Sequence, residues 1–361
     1  MSNSNLESLV MRTGRFLRLQ LAVMLVPALL FAAPCGAAEP DKPGAATTAA
    51  AAAKCGGIDM LAEAQVKEPE LYQRVMGDAA KVINTEAILW KVEKAGVPPS
   101  HLLGTIHLSD ARVTTLSDKI RGAFDASKTV VLEFAGVSDT AMAAMIGNAG
   151  ELLIYTDGRN LEGQLTPEEF SKVQGLVAKS GMPGEFAAML RPWLINMLLA
   201  ISDCERKSLE TGAAALDSRL ELDAKSQGKE VLGLETPQSQ LAALASVPDE
   251  QQVQMLKAGL KFADRSDDML ETLVQMYVKR QLGATMPFQV ALAEKAGVPA
   301  SAFDGFLKIL LVDRNAKMRD GALPILEKGN ALIAVGALHM PGPMGLVALL
   351  RDAGYTVTAV E

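Results

Sequence analysis

The sequence has no excess of positive charge and no N-terminal apolar run long enough to anchor it in a membrane. It carries 35 Lys and Arg against 42 Asp and Glu, and its formal net charge is −7. Nucleic acids and anionic membranes are bound through clustered Lys and Arg, so the charge argues against either as the main partner. The apolar run over residues 19–33 is shorter than the roughly 20 residues that span a bilayer, and Pro27 interrupts it. Stable membrane insertion is therefore not expected.

The first 38 residues have the composition of a secretory signal peptide. Arg12, Arg15 and Arg18 precede the apolar run, and the segment ends in the small residues PCGAA. A positive start, a short apolar middle and a small-residue exit are typical of signal peptides, and we expect cleavage after Ala38. A retained membrane helix is the alternative. Loss of three arginines and one glutamate takes the net charge from −7 to −9. The mature protein is expected to be periplasmic or secreted.

Large apolar side chains are absent from residues 39–54, EPDKPGAATTAAAAAK. We predict a flexible linker there, because such a segment has nothing to bury. Residues 55–361 then remain, which is enough for one large domain.

Cysteine is scarce, with three in the chain, and only Cys55 and Cys204 lie beyond the predicted signal peptide. A pair of cysteines in an exported chain favours a disulfide, because the compartment is oxidising. Two buried free thiols are the alternative.

Candidate strands alternate with candidate helices along the rest of the chain. AILWKVE and HLLGTIH, separated by a turn at Gly96 to Ser100, are typical of a hairpin. Further predicted strands are KTVVLEFAG, KEVLGLET, NALIAVGALHM and YTVTAVE. Helices are predicted from Thr166 to Gly181 and over residues 187–208, 213–227, 248–281 and 299–328. The pattern predicts an α/β fold, a mixed central sheet flanked by helices, with a mainly helical insertion over about residues 138–228 and 237–300.

Histidine is as scarce as cysteine, yet two of the three histidines share one sequence context. His107 follows Gly104 by three positions, and His339 follows Gly336 in the same way. Each lies at the end of a predicted buried strand, and ligands of open α/β sheets bind beyond the carboxyl ends of strands. Glycine additionally lets backbone or ligand approach closely. We predict that the two imidazoles face one cleft, although each alone could be a structural histidine at a strand end.

Two glutamates extend this predicted site. Glu133 lies within the apolar segment VVLEFAG, where a carboxylate is costly unless it is paired, protonated or bound to a cation. It could serve as a metal ligand or a general base, and an ion pair with Arg314 is the structural alternative. Glu235 in GLETPQSQ also ends a predicted strand, although the following Thr-Pro equally indicates a helix start.

Several segments together resemble the TraB/GumN group of proteins, which is related to the TIKI metalloproteases. They are HLLGTIHLSD, VVLEFAG, GKEVLGLETPQSQL, DRNAKM and LIAVGALHMPGPMGLVALLRDAGYTV. The resemblance runs in order from about Cys55 to Glu361. It implies a TraB/GumN-like domain over residues 55–361, with a fold like that of erythromycin esterase and ChaN. Bacterial members also begin with a cysteine and a short polar turn like CGGIDML, and they carry a second cysteine ahead of a helix like GAAALDSRLELDAKSQGK, which supports pairing Cys55 with Cys204.

The resemblance also implies a divalent metal, with Mn or Co favoured and Zn possible, and hydrolysis of peptide bonds. On the matching positions His107, His339 and Glu133 would be the metal ligands. Arg314 and Asn315 fall in the matching segment that precedes the second histidine.

These observations predict an exported metal-dependent hydrolase that acts on a peptide or small amide. His107 and His339, with Glu133 or Glu235, would hold the ion, which would lower the pKa of a bound water, and the remaining carboxylate would take the proton. Arg314 would stabilise the oxyanion, and Ser109 and Asn315 would contact the substrate. Two alternatives remain open: a non-catalytic envelope protein that binds a peptide, pheromone or haem in the same cleft, and a metal-free esterase. The sequence does not indicate an oligomeric state.

Overall fold

The structure is a computed structural model, and it describes residues 55–136 and 149–361. The predicted signal peptide and linker, residues 1–38 and 39–54, lie outside the described residues, as does the start of the predicted helical insertion. None of the helices within the two described ranges combines the length and apolarity needed to cross a bilayer.

A six-stranded mixed sheet forms the centre of the molecule, with strand order β4-β3-β5-β2-β1-β6. The strands are β1 Leu89–Lys94, β2 Val97–Thr105, β3 Thr129–Leu132, β4 Glu230–Gly233, β5 Ala331–Gly336 and β6 Thr356–Ala359. β4, β3, β5 and β2 are mutually parallel, whereas β1 runs antiparallel to both β2 and β6. The predicted strands and the β1–β2 hairpin are thus confirmed, although β2 already begins at Val97, within the predicted turn.

Helices surround this sheet. In chain order the described α-helices are α1 Met60–Lys67, α2 Pro69–Ala79, α3 Ala111–Thr114, α4 Asp118–Ala126, α5 Gly150–Leu153, α6 Pro167–Lys179, α7 Pro192–Ala200, α8 Asp203–Glu210, α9 Leu216–Ser226, α10 Pro237–Ser246, α11 Asp249–Leu260, α12 Ser266–Val278, α13 Leu282–Lys295, α14 Asp304–Phe306, α15 Asp313–Leu326 and α16 Leu346–Asp352. The predicted α/β class is confirmed, while the closer likeness to erythromycin esterase and ChaN stays a prediction.

Both faces of the sheet are covered by helices, and successive strand residues point to opposite faces. Val130 and Leu332 face one apolar layer, which α4, α9 and α12 cover. Val131 and Ile333 face the other layer, which α15 and α16 cover. A separate apolar cluster lies within the helical region, built largely from residues 149–198. The parallel strands are therefore fixed from both sides, and their carboxyl ends meet at one edge.

Three predicted helices are interrupted. The helix predicted over 187–208 starts only at Pro192, which lacks the N–H that would continue an earlier helix, and it breaks between α7 and α8, where Ser202 caps a new helix. The segment 248–281 breaks into α11 and α12 around a short 3₁₀ turn, Ala263–Arg265. The segment 299–328 contains a 3₁₀ turn, α14 and a π-helical turn, Leu307–Val312, before α15 begins.

The structure pairs Cys55 with Cys204 in a disulfide, as predicted. The two residues are 149 positions apart, and the bond joins the start of the described chain to α8. Closing so long a loop reduces the entropy of the unfolded chain and stabilises the fold by at most about 4–5 kcal/mol.

Candidate functional site

The candidate site lies at the carboxyl edge of the four parallel strands. Glu235, Glu133, His339 and His107 follow β4, β3, β5 and β2 in that spatial order. Glu133 is the first residue beyond β3, so it lies at the strand end rather than inside the strand. Each strand thus delivers one polar side chain to the edge where α/β proteins bind ligands.

Glu133 lies at the centre of this group, and its side chain is 5% exposed. Its Oε2 accepts hydrogen bonds from Arg314 at 2.7 Å and from Gln240 at 2.7 Å. Its Oε1 accepts a 2.8 Å hydrogen bond from the backbone N–H of Gly336. Burial on its own would raise the pKa of Glu133, but Arg314, the two histidines and the Gly336 N–H outweigh it and hold the pKa well below its usual range. Glu133 is therefore ionised.

The Asp217 carboxylate binds the His107 ring at Nδ1, the nitrogen that faces away from Glu133. Its Nδ1 donates to Oδ2 of Asp217 at 2.8 Å, and Thr105 donates to the other Asp217 oxygen at 2.6 Å. The His107 Nε2 then lies 3.9 Å from Oε1 of Glu133. Burial lowers the pKa of this imidazole, but the adjacent Asp217 carboxylate outweighs burial and raises the pKa to about 9. In the absence of a metal, His107 is therefore protonated at neutral pH.

His339 is held by a neutral amide instead. Asn315 donates through Nδ2 to the Met344 carbonyl, which turns its Oδ1 toward Nδ1 of His339 at 2.6 Å. Nδ1 must then carry the proton, which leaves the lone pair of the neutral ring on Nε2. That Nε2 lies 3.7 Å from Oε1 of Glu133. Burial lowers the pKa of His339 to about 4, so the ring is neutral at pH 7.

The two glycines of the paired motifs have different roles. A Cβ on Gly336 would lie 3.1 Å from Oε1 of Glu133 and 3.6 Å from Nε2 of His107, so its absence leaves room beside the converging groups. A Cβ on Gly104 would instead lie 3.0 Å from Cα of Ala337, within the turn that carries His339. Gly336 therefore provides space at the site, and Gly104 lets the two histidine segments pack together.

Arg314 and Glu235 form a buried ion pair behind Glu133. The Arg314 side chain is 10% exposed, and its Nη2 lies 2.6 Å from Glu235 and 2.7 Å from Glu133. Burial lowers the pKa of Arg314, but the two carboxylates outweigh it, so the net pKa shift is upward. The residue lies at the start of α15, directly after the π-helical turn. Glu235 thus joins the site through Arg314.

The two predicted substrate contacts have internal partners. The backbone N–H and hydroxyl of Ser109 both donate to the buried carboxylate of Glu205, at 2.8 and 3.0 Å. Asn315 is 3% exposed and uses its amide on His339 and Met344. A contact of either residue with substrate stays a prediction.

Two residues of the site are absent from the sequence prediction. Asp217 lies in the first turn of α9, where an acidic residue is ordinary, and the N–H of Leu216 anchors that helix to the Leu108 carbonyl. Gln240 is 4% exposed in α10, whose start is fixed by the Thr236 cap. Only the tertiary fold reveals that both side chains point at the strand edge.

Three electron-pair donors face one small space: Nε2 of His107, Nε2 of His339 and Oε1 of Glu133. Two atoms bound to one ion at about 2.1 Å can lie at most about 4.2 Å apart, and the His-to-Glu separations of 3.7 and 3.9 Å fall within that span. Each His-to-Glu pair therefore lies within the span of a shared divalent cation, once His107 loses its Nε2 proton. Over the described ranges, no group of three or more His, Cys, Asp or Glu side chains is positioned to hold a metal ion without rearrangement.

Comparisons with known proteins support the resemblance noted from the sequence. The profile of the TraB/PrgY/gumN family matches residues 88–359, a range that includes every residue of the candidate site. A protein of Shigella flexneri named "Uncharacterized protein YbaP" is 24% identical over 257 residues, which is 70% of this chain and 88% of that protein. Its namesake in Escherichia coli strain K12 is 24% identical over 256 residues, 70% of this chain and 87% of that protein. No solved structure is significantly similar. With about three quarters of its length matched by one family profile, the chain belongs to the TraB/PrgY/gumN family.

Proposed function

We propose that this protein is a metal-dependent hydrolase that acts on peptide or amide bonds. The observation that carries the proposal is the approach of two imidazole Nε2 atoms to the same carboxylate oxygen, at 3.7 and 3.9 Å, on adjacent parallel strands. Without a metal, the protonated His107 pairs with Glu133. A divalent metal, Mn or Co before Zn, would displace the Nε2 proton of His107 and bind all three donors.

His107, His339 and Glu133 would hold the ion through Nε2, Nε2 and Oε1. When bound, such an ion lowers the pKa of a water molecule and polarises the carbonyl that is attacked. Three protein donors leave positions open for water and substrate, as catalytic sites require. If the two imidazoles alone held the ion, Glu133 Oε1 would instead be the base that accepts the proton of the bound water.

The remaining residues act through these three. Asp217 and Asn315 each fix one imidazole by its Nδ1, so that both Nε2 atoms face Glu133. Arg314 keeps Glu133 ionised and oriented, and Glu235 offsets the charge of Arg314. We assign Arg314 and Glu235 as positioning residues on this basis. Direct stabilisation of an oxyanion by Arg314 would require one of these ion pairs to open.

Metal content is the first test. Mature protein is stripped with EDTA, and binding of Mn²⁺, Co²⁺ and Zn²⁺ is measured by titration calorimetry, followed by a peptide library with each metal added back. We expect binding of one ion per chain, and loss of binding in His107→Ala and His339→Ala. His101→Ala is the matched control, because His101 lies within β2, away from the strand ends. Binding of none of the metals, or turnover that survives chelation, would overturn the proposal.

A second candidate is a non-catalytic protein that binds a peptide in the same cleft. One observation favours it: Glu133 already accepts hydrogen bonds from Arg314, Gln240 and Gly336, which weakens it as a base. Peptide binding by wild-type protein without cleavage, in the presence of a bound metal, would favour this candidate.

A further inference from the structure

A cavity of about 420 Å³ lies between α7, α11, α12 and α13, on the helical side of the molecule. Its volume falls within the range of small-ligand pockets, about 300–1,000 Å³. Its wall is mainly apolar and includes Trp193, Met197, Met255, Phe262, Met269 and Met286.

The cavity adjoins the candidate site at three places in the chain. Leu108 and Leu338 line it, and they are the sequence neighbours of His107 and His339. Leu310 also lines it, and its carbonyl accepts a hydrogen bond from Arg314. A molecule whose reacting bond lies at Glu133 would therefore have this cavity beside it.

Much of the wall is left incompletely buried by the protein itself. Met255, Met269, Leu273 and Met286 are large apolar side chains of intermediate burial. Two of the polar residues on the wall are hydrogen-bonded within the protein: Asn196 donates to the Gln252 carbonyl, and the Gln252 side chain accepts from the Trp193 N–H and donates to the Val247 carbonyl. The other polar lining residues are Ser266 and Gln289, so the cavity offers mainly apolar contact. An occupant gains affinity there by removing apolar surface from water.

We propose that this cavity receives a large apolar side chain of the peptide or amide substrate, next to the bond that is cleaved. The inference rests on the proposed function for the position of that bond. A peptide side chain fits better than a fatty acid, because none of the residues that line the cavity is charged, so the carboxylate of a fatty acid would have no cation to pair with. Methionine side chains are unbranched and flexible, so we expect several apolar shapes to be accepted.

The test is a series of fluorescein-labelled hexapeptides with termini blocked, otherwise Gly and Ser, in which one central residue is Gly, Ala, Leu or Phe. Binding is measured by fluorescence polarisation on Glu133→Gln, so that cleavage does not interfere. We expect affinity to increase from Gly to Phe by at least about tenfold. Met286→Gln, added to that background, should lower the affinity for the Phe peptide several-fold and leave the Gly peptide unchanged. Met189→Gln, an exposed methionine that is not among the cavity-lining residues, is the matched control.

The outcomes separate the two proposals. Apolar preference that Met286→Gln reduces, without turnover in the wild type, would support the cavity and overturn the hydrolase. Turnover with equal affinity for the Gly and Phe peptides would retain the hydrolase and overturn the cavity proposal. Dodecanoate binding in the cavity more tightly than every peptide would overturn the choice of a peptide side chain as occupant.

Discussion

The two histidine segments share one sequence pattern, but their imidazoles differ in exposure and in hydrogen-bond partner. Both follow a Gly-x-x-His pattern beyond neighbouring parallel strands, and both direct Nε2 toward one oxygen of Glu133. The His107 side chain is 34% exposed and bonds to a carboxylate, whereas that of His339 is 5% exposed and bonds to an amide. The pKa is raised to about 9 in the first and lowered to about 4 in the second.

The difference shows that the motif determines where each imidazole lies, whereas burial and charged neighbours determine which charge it carries. The Asp217 carboxylate outweighs burial at His107, while burial dominates at His339 and leaves that ring neutral. At neutral pH, His107 is thus an imidazolium that can donate a proton, and His339 is a neutral imidazole with a lone pair on Nε2. The following experiments test that asymmetry, beginning with the largest expected effect.

The strongest contrast is expected in stability. His339→Ala removes a buried ring and leaves the Asn315 oxygen without its donor, so the free energy of unfolding should fall by about 3 kcal/mol. His107→Ala should cost less, about 2 kcal/mol, because the ring is 34% exposed and solvent screens its ion pair with Asp217. Urea unfolding in EDTA, with His101→Ala as control, measures both. Equal losses of unfolding free energy in the two variants would contradict the distinction between a buried His339 and a partly exposed His107.

A smaller effect is expected on metal affinity. Asp217→Asn keeps the shape of the side chain but removes the charge that makes His107 a strong donor, so affinity for the preferred metal should fall about 10–100-fold. Calorimetric titration of the EDTA-stripped protein gives the value. Asn315→Asp is the reciprocal variant, and it should not weaken binding. Unchanged affinity in Asp217→Asn would mean that the carboxylate has no influence on the site.

The imidazole pKa values themselves offer a direct readout. In metal-free protein, NMR titration should place His107 near 9 and His339 near 4, with His101 as the only other histidine signal. Asp217→Asn should lower the pKa of His107, and Asn315→Asp should raise that of His339. A His107 pKa that stays high in Asp217→Asn would assign its elevation to Glu133 instead.

The smallest expected effect is a change in how stability depends on pH. The raised pKa of His107 means that its contribution is complete below the unfolded value of about 6.5 and is lost as pH rises through about 9. The lowered pKa of His339 has the opposite sign, so its contribution is lost as pH falls from about 6.5 to about 4. Asp217→Asn should flatten the alkaline limb only. Flattening of the acidic limb by that variant would contradict the assignment.

Much of the framework could be predicted from sequence because it depends on local patterns. Apolar runs such as VVL and LIAV predicted the parallel strands, and Thr166 with Pro167 and Glu169 predicted the start of α6. Helix α13 was missed because it is buried on many sides and contains Pro287, so apolar residues do not mark one face.

The site could be predicted only in part, for a related reason. His107, His339 and Glu133 follow strands, and parallel strands bring their ends together by topology. Asp217 and Gln240 reach the same place from helices whose packing angle has no local signature. Glu235 carries both of its expected features, since it lies between the end of β4 and the Thr236 cap of α10.

The methionine-lined cavity has a consequence for how the protein responds to oxidants. Peroxide and hypochlorous acid convert accessible thioethers to sulfoxides, which are polar and chiral, whereas imidazole and carboxylate groups resist mild oxidants. Met255, Met269 and Met286 are only partly covered. Oxidative damage should therefore reach this wall while the residues at the strand edge remain chemically intact, and a methionine sulfoxide reductase in the same compartment would be needed to restore it.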